Sequence, residues 1–266
     1  MKRRQFVKAS LLTSSGASLL APSQPTKPMA PYQQPATQEY YELRTYTLKN
    51  NRQLKALQTY LQQGAIPAYN RLGSQPIGVF TEYLPQGFTK LIVLIPFSSL
   101  EAYFKIPDQL AQDAAYQQAG AEYLTAEATA PLYERIESSL LKAFSGMPRL
   151  VSPELKPRLL ELRRYESHNE TAGRKKIEMF NQAEIAIFKR VGLTPVFFGE
   201  TLIGPYRPNL TYLLTFDDMA EHDQRWKAFG GDAEWKQLSA RPEYADARII
   251  SGITRMFLTP TAFSQV

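Results

Sequence analysis

Glu42, Arg44 and Tyr46 stand at a spacing of two, and Glu161, Arg163 and Tyr165 repeat the same three residue types at the same spacing. On an extended strand residues two apart share a face, so each triplet sets a carboxylate, a guanidinium and a phenol side by side. Away from water neither charge is tolerated alone. The Glu and Arg of each triplet should therefore pair, leaving spare Arg donors for an anionic or carbonyl group. On this basis Arg44, Tyr46, Arg163 and Tyr165 are candidate ligand-binding residues. Leu43 and Leu162 are expected to face the helices, which sends the triplets into a lumen or onto the contact between two halves. The plainer alternative, favoured by the presence of the triplet in both copies, is a paired ladder that specifies the fold.

Other residues offer chemistry of their own. His222 is a candidate general base, since an imidazole titrates near neutrality, although its neighbours Glu221 and Asp223 suggest a solvated helix position. Glu200 interrupts an apolar strand and is either lumen-facing and catalytic or at a solvated strand end. Phe198 and Trp226, with Phe197, Tyr206, Tyr212 and Trp235, could line a pocket for a flat or apolar ligand, against the alternative of core packing. No metal and no cofactor are expected: there is no cysteine, and His168 and His222 share no ligand spacing. A glycine-rich phosphate loop and a nucleophile elbow are also missing, which disfavours nucleotide-dependent chemistry and ordinary hydrolysis.

The elements that must position these groups come in duplicate. Shifting the chain by 119 residues aligns 40–118 with 159–237 without a gap and gives 16 identities in 79 positions, where about 5 would arise by chance, the test a repeat must pass. Each copy begins with an alternating strand, 41–48 or 160–167. A helix follows, 52–72 or 170–191, with Asn50 or Asn51 and Asn169 as N-caps and Gly73 and Gly192 as left-handed ends. Two short strands joined by a turn come next, 76–84 with 90–97 and 195–203 with 209–216. A second helical region is capped by Ser98-Ser99 or Asp217-Asp218, and a last strand lies near 132–139 or 248–258. This is an α+β chain of two ferredoxin-like βαββαβ units. Each unit leaves one sheet face bare, so the two are expected to pack into a pseudo-symmetric α/β barrel.

The Glu-Leu-Arg-x-Tyr strands, Gly192-x-x-Pro195-Val196-Phe197, Asn209-Leu210, Phe216-Asp217-Asp218 and Asp232-Ala233-Glu234-Trp235 together resemble the NIPSNAP family of the dimeric α/β-barrel superfamily. The resemblance spans residues 40–258 and is clearer in the second copy, since Tyr116 stands in the first where Trp235 stands in the second. It implies the fold more firmly than any activity, because the superfamily hosts cofactor-independent monooxygenases, isomerases and haem enzymes.

Outside the repeats, residues 1–21 resemble a twin-arginine signal peptide, with Arg3 and Arg4 followed by Phe6, Lys8 and a mild apolar run. Residues 22–38 read as a Pro/Gln-rich tether, 39–144 as the first unit, 145–157 as a linker and 158–260 as the second unit. The expected location is periplasmic, or otherwise reached through the twin-arginine pathway. Of the net charge of +6, Lys2, Arg3, Arg4, Lys8 and Lys27 supply +5, which leaves +1 on residues 31–266. A nucleic-acid partner thereby loses its support, and no run in the mature chain is long and apolar enough for an integral membrane segment.

The expected function is binding of a small apolar or aromatic molecule in the barrel. One alternative is a cofactor-independent monooxygenase or isomerase using Arg163, Tyr165 and His222. The other is a non-enzymatic protein that forms a homo-oligomer or binds another protein. A lumen cavity of ligand size with His222 or Glu200 pointing into it would favour the enzyme. A lumen filled by side chains would go against both the binding and the enzyme readings and leave the associative one.

Overall fold

The structure is a computed structural model and describes residues 37–85, 87, 89–156 and 158–266. The expected export signal and residues 22–36 of the tether lie outside the described residues.

The first unit opens with β1 (Tyr40–Leu48), whose β-branched and aromatic residues suit a strand buried on both faces. The Asn50 side chain accepts from the Gln53 amide and starts α1 (Asn51–Thr59), which continues through a π-helical turn (Tyr60–Ala65) into α2 (Ile66–Arg71). Gly73, at φ 88°, ends this helix in the left-handed region. Then come β2 (Gly78–Glu82), β3 (Thr89–Phe97), α3 (Leu100–Gln112) capped by Ser99, α4 (Ala114–Ala119) capped by Asp113, α5 (Ala121–Leu124) and β4 (Arg135–Ala143).

The second unit repeats the order with β5 (Leu159–Glu166), α6 (Glu170–Met179) capped by Asn169, a π-helical turn (Phe180–Glu184) and α7 (Ile185–Arg190). It continues with β6 (Thr194–Ile203), β7 (Asn209–Phe216), α8 (Met219–Gly231) capped by Asp218 and α9 (Ala233–Ser239) capped by Asp232. A 3-10 turn (Pro242–Tyr244), α10 (Asp246–Ile249) and β8 (Gly252–Pro260) complete it.

The strands of the first unit lie in the order β4-β1-β3-β2 and those of the second in the order β8-β5-β7-β6, all antiparallel. Pairing of β2 with β8 and of β4 with β6 joins the two sheets into one closed eight-stranded barrel. The expected α+β pseudo-symmetric barrel is thus the fold, with the helices outside.

Three layers of core follow from this closure. Tyr41, Phe80, Ile92, Leu94, Leu141, Leu160, Phe197 and Leu213 fill the barrel interior. One apolar cluster lies under the helices of the first unit and another under those of the second.

The facing of the triplets has to be corrected. Leu43 and Leu162 pack against the interior cluster, whereas Tyr46 and Tyr165 belong to the clusters beneath the helices. The carboxylates and guanidinia therefore point outward to the helices, not into the lumen. Spacing of two determines which residues share a face but not which face it is. Both faces of these strands are buried, so alternation of polar and apolar residues carries no inside-or-outside label.

The last strands also begin later than expected. Leu132 is buried as a loop anchor ahead of β4. Residues 246–249 form a helical turn whose Ile249 carbonyl accepts from the Ser167 hydroxyl at 2.6 Å. Apolar residues at both places serve the core without joining the sheet.

Candidate functional site

In the first unit Arg44 grips Glu42 with both arms of its fork: Nε donates to Oε1 at 2.6 Å and Nη2 to Oε2 at 2.8 Å. Ser138 adds a hydroxyl donor to Oε1 at 2.6 Å, and Arg44 Nη2 also reaches the Tyr69 hydroxyl at 3.1 Å. Bidentate pairs of this kind are strong and directional. Burial works against the Arg44 cation, but Glu42 and Tyr69 overcome it and hold the guanidinium well above its usual pKa. Burial pushes the Tyr69 phenol up, with Arg44 opposing, and does the same to Tyr103. Tyr46 is buried beside Tyr133 and Tyr123.

A cavity of about 250 Å³ opens directly onto this ion pair, walled by Tyr69, Phe97, Tyr103, Phe104 and Pro107. Tyr103 packs edge-on to both Phe97 and Phe104 at 5.2 Å, and Phe104 stands at the rim, 65% exposed. The Arg44 side chain keeps 21% of its surface accessible.

The second unit holds the same pair in a different state. Arg163 Nε donates to Glu161 Oε1 at 2.6 Å, and Glu161 is fully buried. Trp226, on α8, lies over the Arg163 guanidinium at 3.6 Å and donates from Nε1 to Glu161 Oε2 at 2.9 Å. His222, one turn earlier, sits with Nε2 3.3 Å from the same oxygen and Nδ1 2.8 Å from Asp223. Its ring is wedged between Phe216 and Phe257 at 5.0 and 5.1 Å. The expectation of a solvated His222 is therefore corrected: α8 turns it toward the sheet, where it lies buried between two phenylalanines with Nε2 lacking a hydrogen-bond partner among the described residues.

Phe198 and Tyr165 lie inside an aromatic core rather than at a pocket. Phe198 stacks near Phe144, Phe180 and Tyr212, and the Tyr165 hydroxyl accepts from Tyr212 at 2.9 Å. Beside them Lys176 and Glu184, both buried, pair at 2.9 Å across the second π-helical turn. Burial pushes the Glu184 carboxyl up, while Lys176 pulls against it. Sequence reasoning overlooked this pair because Leu57 and Ala65 hold the corresponding places in the first copy. That double break of the repeat was the available signal.

Among the described residues the lumen shows about 120 Å³ of space, at the mouth beside the β6–β7 hairpin and lined by Thr45, Glu137, Arg164 and Thr201, less than the roughly 150 Å³ that holds benzene. Glu200 points away from it: Thr201 lines the mouth, and Gly199 packs against the inward-facing Leu141. A larger cleft of about 610 Å³ lies between the linker and the end of β8, where the buried Arg158 Nε has no hydrogen-bond partner among the described residues. There Lys156 pairs with Asp217 at 2.7 Å, and Arg158 Nη1 donates to two backbone carbonyls. Among the described residues no cluster of His, Asp and Glu could hold a metal ion, and no helix is long and apolar enough to cross a membrane.

Fold and site together define a tandem ferredoxin-like α/β barrel whose two halves carry one polar motif in two states. The NIPSNAP family model matches residues 41–146 and again 160–265, and the chain belongs to the NIPSNAP family. Among solved structures it is similar to a protein of Fusobacterium nucleatum provisionally named a monooxygenase, with TM-score 0.55 and 10% identity over 85% of this chain and 93% of that one. A provisionally named monooxygenase of Lactobacillus acidophilus gives TM-score 0.55 and 6% identity over 84% and 94%. A NIPSNAP family protein of unknown function from Agrobacterium tumefaciens gives TM-score 0.36 and 19% identity over 43% of this chain and 97% of that one. No curated protein matches the sequence.

Proposed function

We propose that this chain is an exported NIPSNAP protein that binds one small aromatic molecule in the first unit, between β1 and α3. The observation that carries the reading is the Glu42–Arg44 pair, left partly accessible under a wall of aromatic rings and facing a cavity of about 250 Å³. A few convergent polar groups in an apolar hollow are what a small-molecule site requires. A packed interior is the outcome expected to leave the associative alternative alone, and what supports binding instead is the outer cavity, which the sequence did not foresee.

The groups support binding rather than turnover. Arg44 is held as a cation and the Tyr69 and Tyr103 phenols are pushed up, so none of the three is poised to exchange a proton near neutral pH. His222 serves the other unit, beneath α8. The pair of arginines near the N-terminus supports export in a folded state, to the periplasm.

Native mass spectrometry of the protein recovered from its own periplasm tests both parts. A retained small molecule that is lost from an Arg44→Ala variant is the expected result. An empty protein with an unchanged mass profile in the variant would sink the binding reading. For export, Arg3→Lys with Arg4→Lys should leave the precursor in the cytoplasm, and undiminished export would refute the twin-arginine assignment.

A further inference from the structure

The two halves differ where the cavity of the first opens onto its ion pair. In the register of the repeat, α3 and α8 correspond residue for residue, so that Tyr103 answers to His222, Phe104 to Asp223 and Pro107 to Trp226. In the second half the Trp226 indole covers the Arg163 guanidinium and donates to Glu161 Oε2. Pro107 has no aromatic ring and no donor, and the cavity of the first half stands in front of the same carboxylate–guanidinium pair. The Arg44 side chain is accordingly 21% exposed where that of Arg163 is 10%.

Resting on the reading that this cavity binds a small aromatic molecule, we infer that its ligand is a neutral, planar compound carrying an N–H or O–H donor, of indole or phenol type. It lies flat on the Arg44 guanidinium and donates to Glu42 Oε2, taking the place that Trp226 fills in the other half. Planarity follows from the flat guanidinium face, which stacks on aromatic rings. The donor follows from the lone-pair count. Glu42 Oε1 already accepts from Arg44 and Ser138, while Oε2 accepts from Arg44 alone. Neutrality follows because Glu42 already balances Arg44, and an added carboxylate would meet the like charge of Glu42. The volume limits the ligand to one or two rings, since a cavity of about 150 Å³ already suffices for benzene.

Calorimetric titration of the full mature chain with indole, 1-methylindole and indole-3-carboxylate tests the inference. Indole is expected to bind saturably, 1-methylindole on the order of tenfold more weakly for want of its donor, and indole-3-carboxylate more weakly than indole. Equal affinity for indole and 1-methylindole would overturn the donor, and preference for the carboxylate would overturn neutrality.

Pro107→Trp installs the second half's own ring and is expected to abolish indole binding and raise Tm. Phe104→Ala, at an exposed rim position, should weaken indole severalfold without touching the fold. Indole binding unchanged in both variants would place the site elsewhere and overturn the cavity reading itself. Failure of all three probes, with a molecule retained from the periplasm still displaced by Pro107→Trp, would overturn the ligand class and leave the cavity reading standing.

Discussion

Trp226 satisfies Glu161, stacks on Arg163 and meets Phe188 edge-on at 5.7 Å, so its removal strips three partners at once. Trp226→Ala should cost about 3 kcal/mol of stability, in the range of large aromatic truncations, measured by urea unfolding. A loss of only a few tenths would show that the ring covers the ion pair without supporting it. The buried Lys176–Glu184 pair makes a different prediction. Lys176→Met alone leaves an uncompensated carboxylate and should cost about 3–5 kcal/mol, whereas Lys176→Met with Glu184→Leu should recover most of it. If the double variant is as unstable as the single one, the pair holds the π-helical turn through its geometry rather than through charge balance. At this scale the Glu–Arg pairing within each triplet was readable, and the partner that α8 adds was not. Glu161 and Trp226 are 65 positions apart, and nothing in either neighbourhood says that α8 brings them to 2.9 Å.

The helices of both units are fixed by the same devices. Arg71 pairs with Asp113 and Arg190 with Asp232, and each aspartate also caps the helix that follows by accepting a backbone N–H. The Arg71 guanidinium and then the Tyr116 amide hold the Asp113 carboxyl below its usual range. For Asp232 the Trp235 amide leads and Arg190 follows. A carboxyl lowered in the folded state stabilises above its unfolded pKa, near 3.9, and that contribution is lost as pH falls through the lowered value. Thermal melts of wild type should therefore decline more steeply between about pH 4 and pH 2 than those of the Asp113→Asn, Asp232→Asn double variant. Parallel curves would mean that the caps contribute through hydrogen bonding alone. The positions of these caps were legible because Asp, Ser and Asn before an apolar period have a local cause. The π-helical turns were not, since residues 60–65 and 180–184 keep helical spacing and the extra residue per turn leaves no mark on composition.

At the level of the whole chain, the order of strands followed from the repeat, and closure followed from the need of each unit to cover a sheet. What remained hidden was that the sheets meet edge to edge, β2 on β8 and β4 on β6, which seals the barrel within one chain. Residues 158–266 expressed alone would leave the outer edges of β6 and β8 unpaired. Such a half is expected to form a dimer, with twice its mass in light scattering, since exposed edges recruit partners. A stable monomeric half would show that the second sheet needs no such closure.

The place that Trp226 fills in the second half also bears on how the proposed site would answer to ligand concentration. A barrel of two identical halves would offer two equivalent receptors able to influence each other, and its occupancy could be sigmoidal. Here Trp226 covers the second of them, so the site proposed in the first half would fill alone, and an isolated chain would saturate hyperbolically with one ligand. A duplicated barrel with one half filled would thus bind without coupling between its halves.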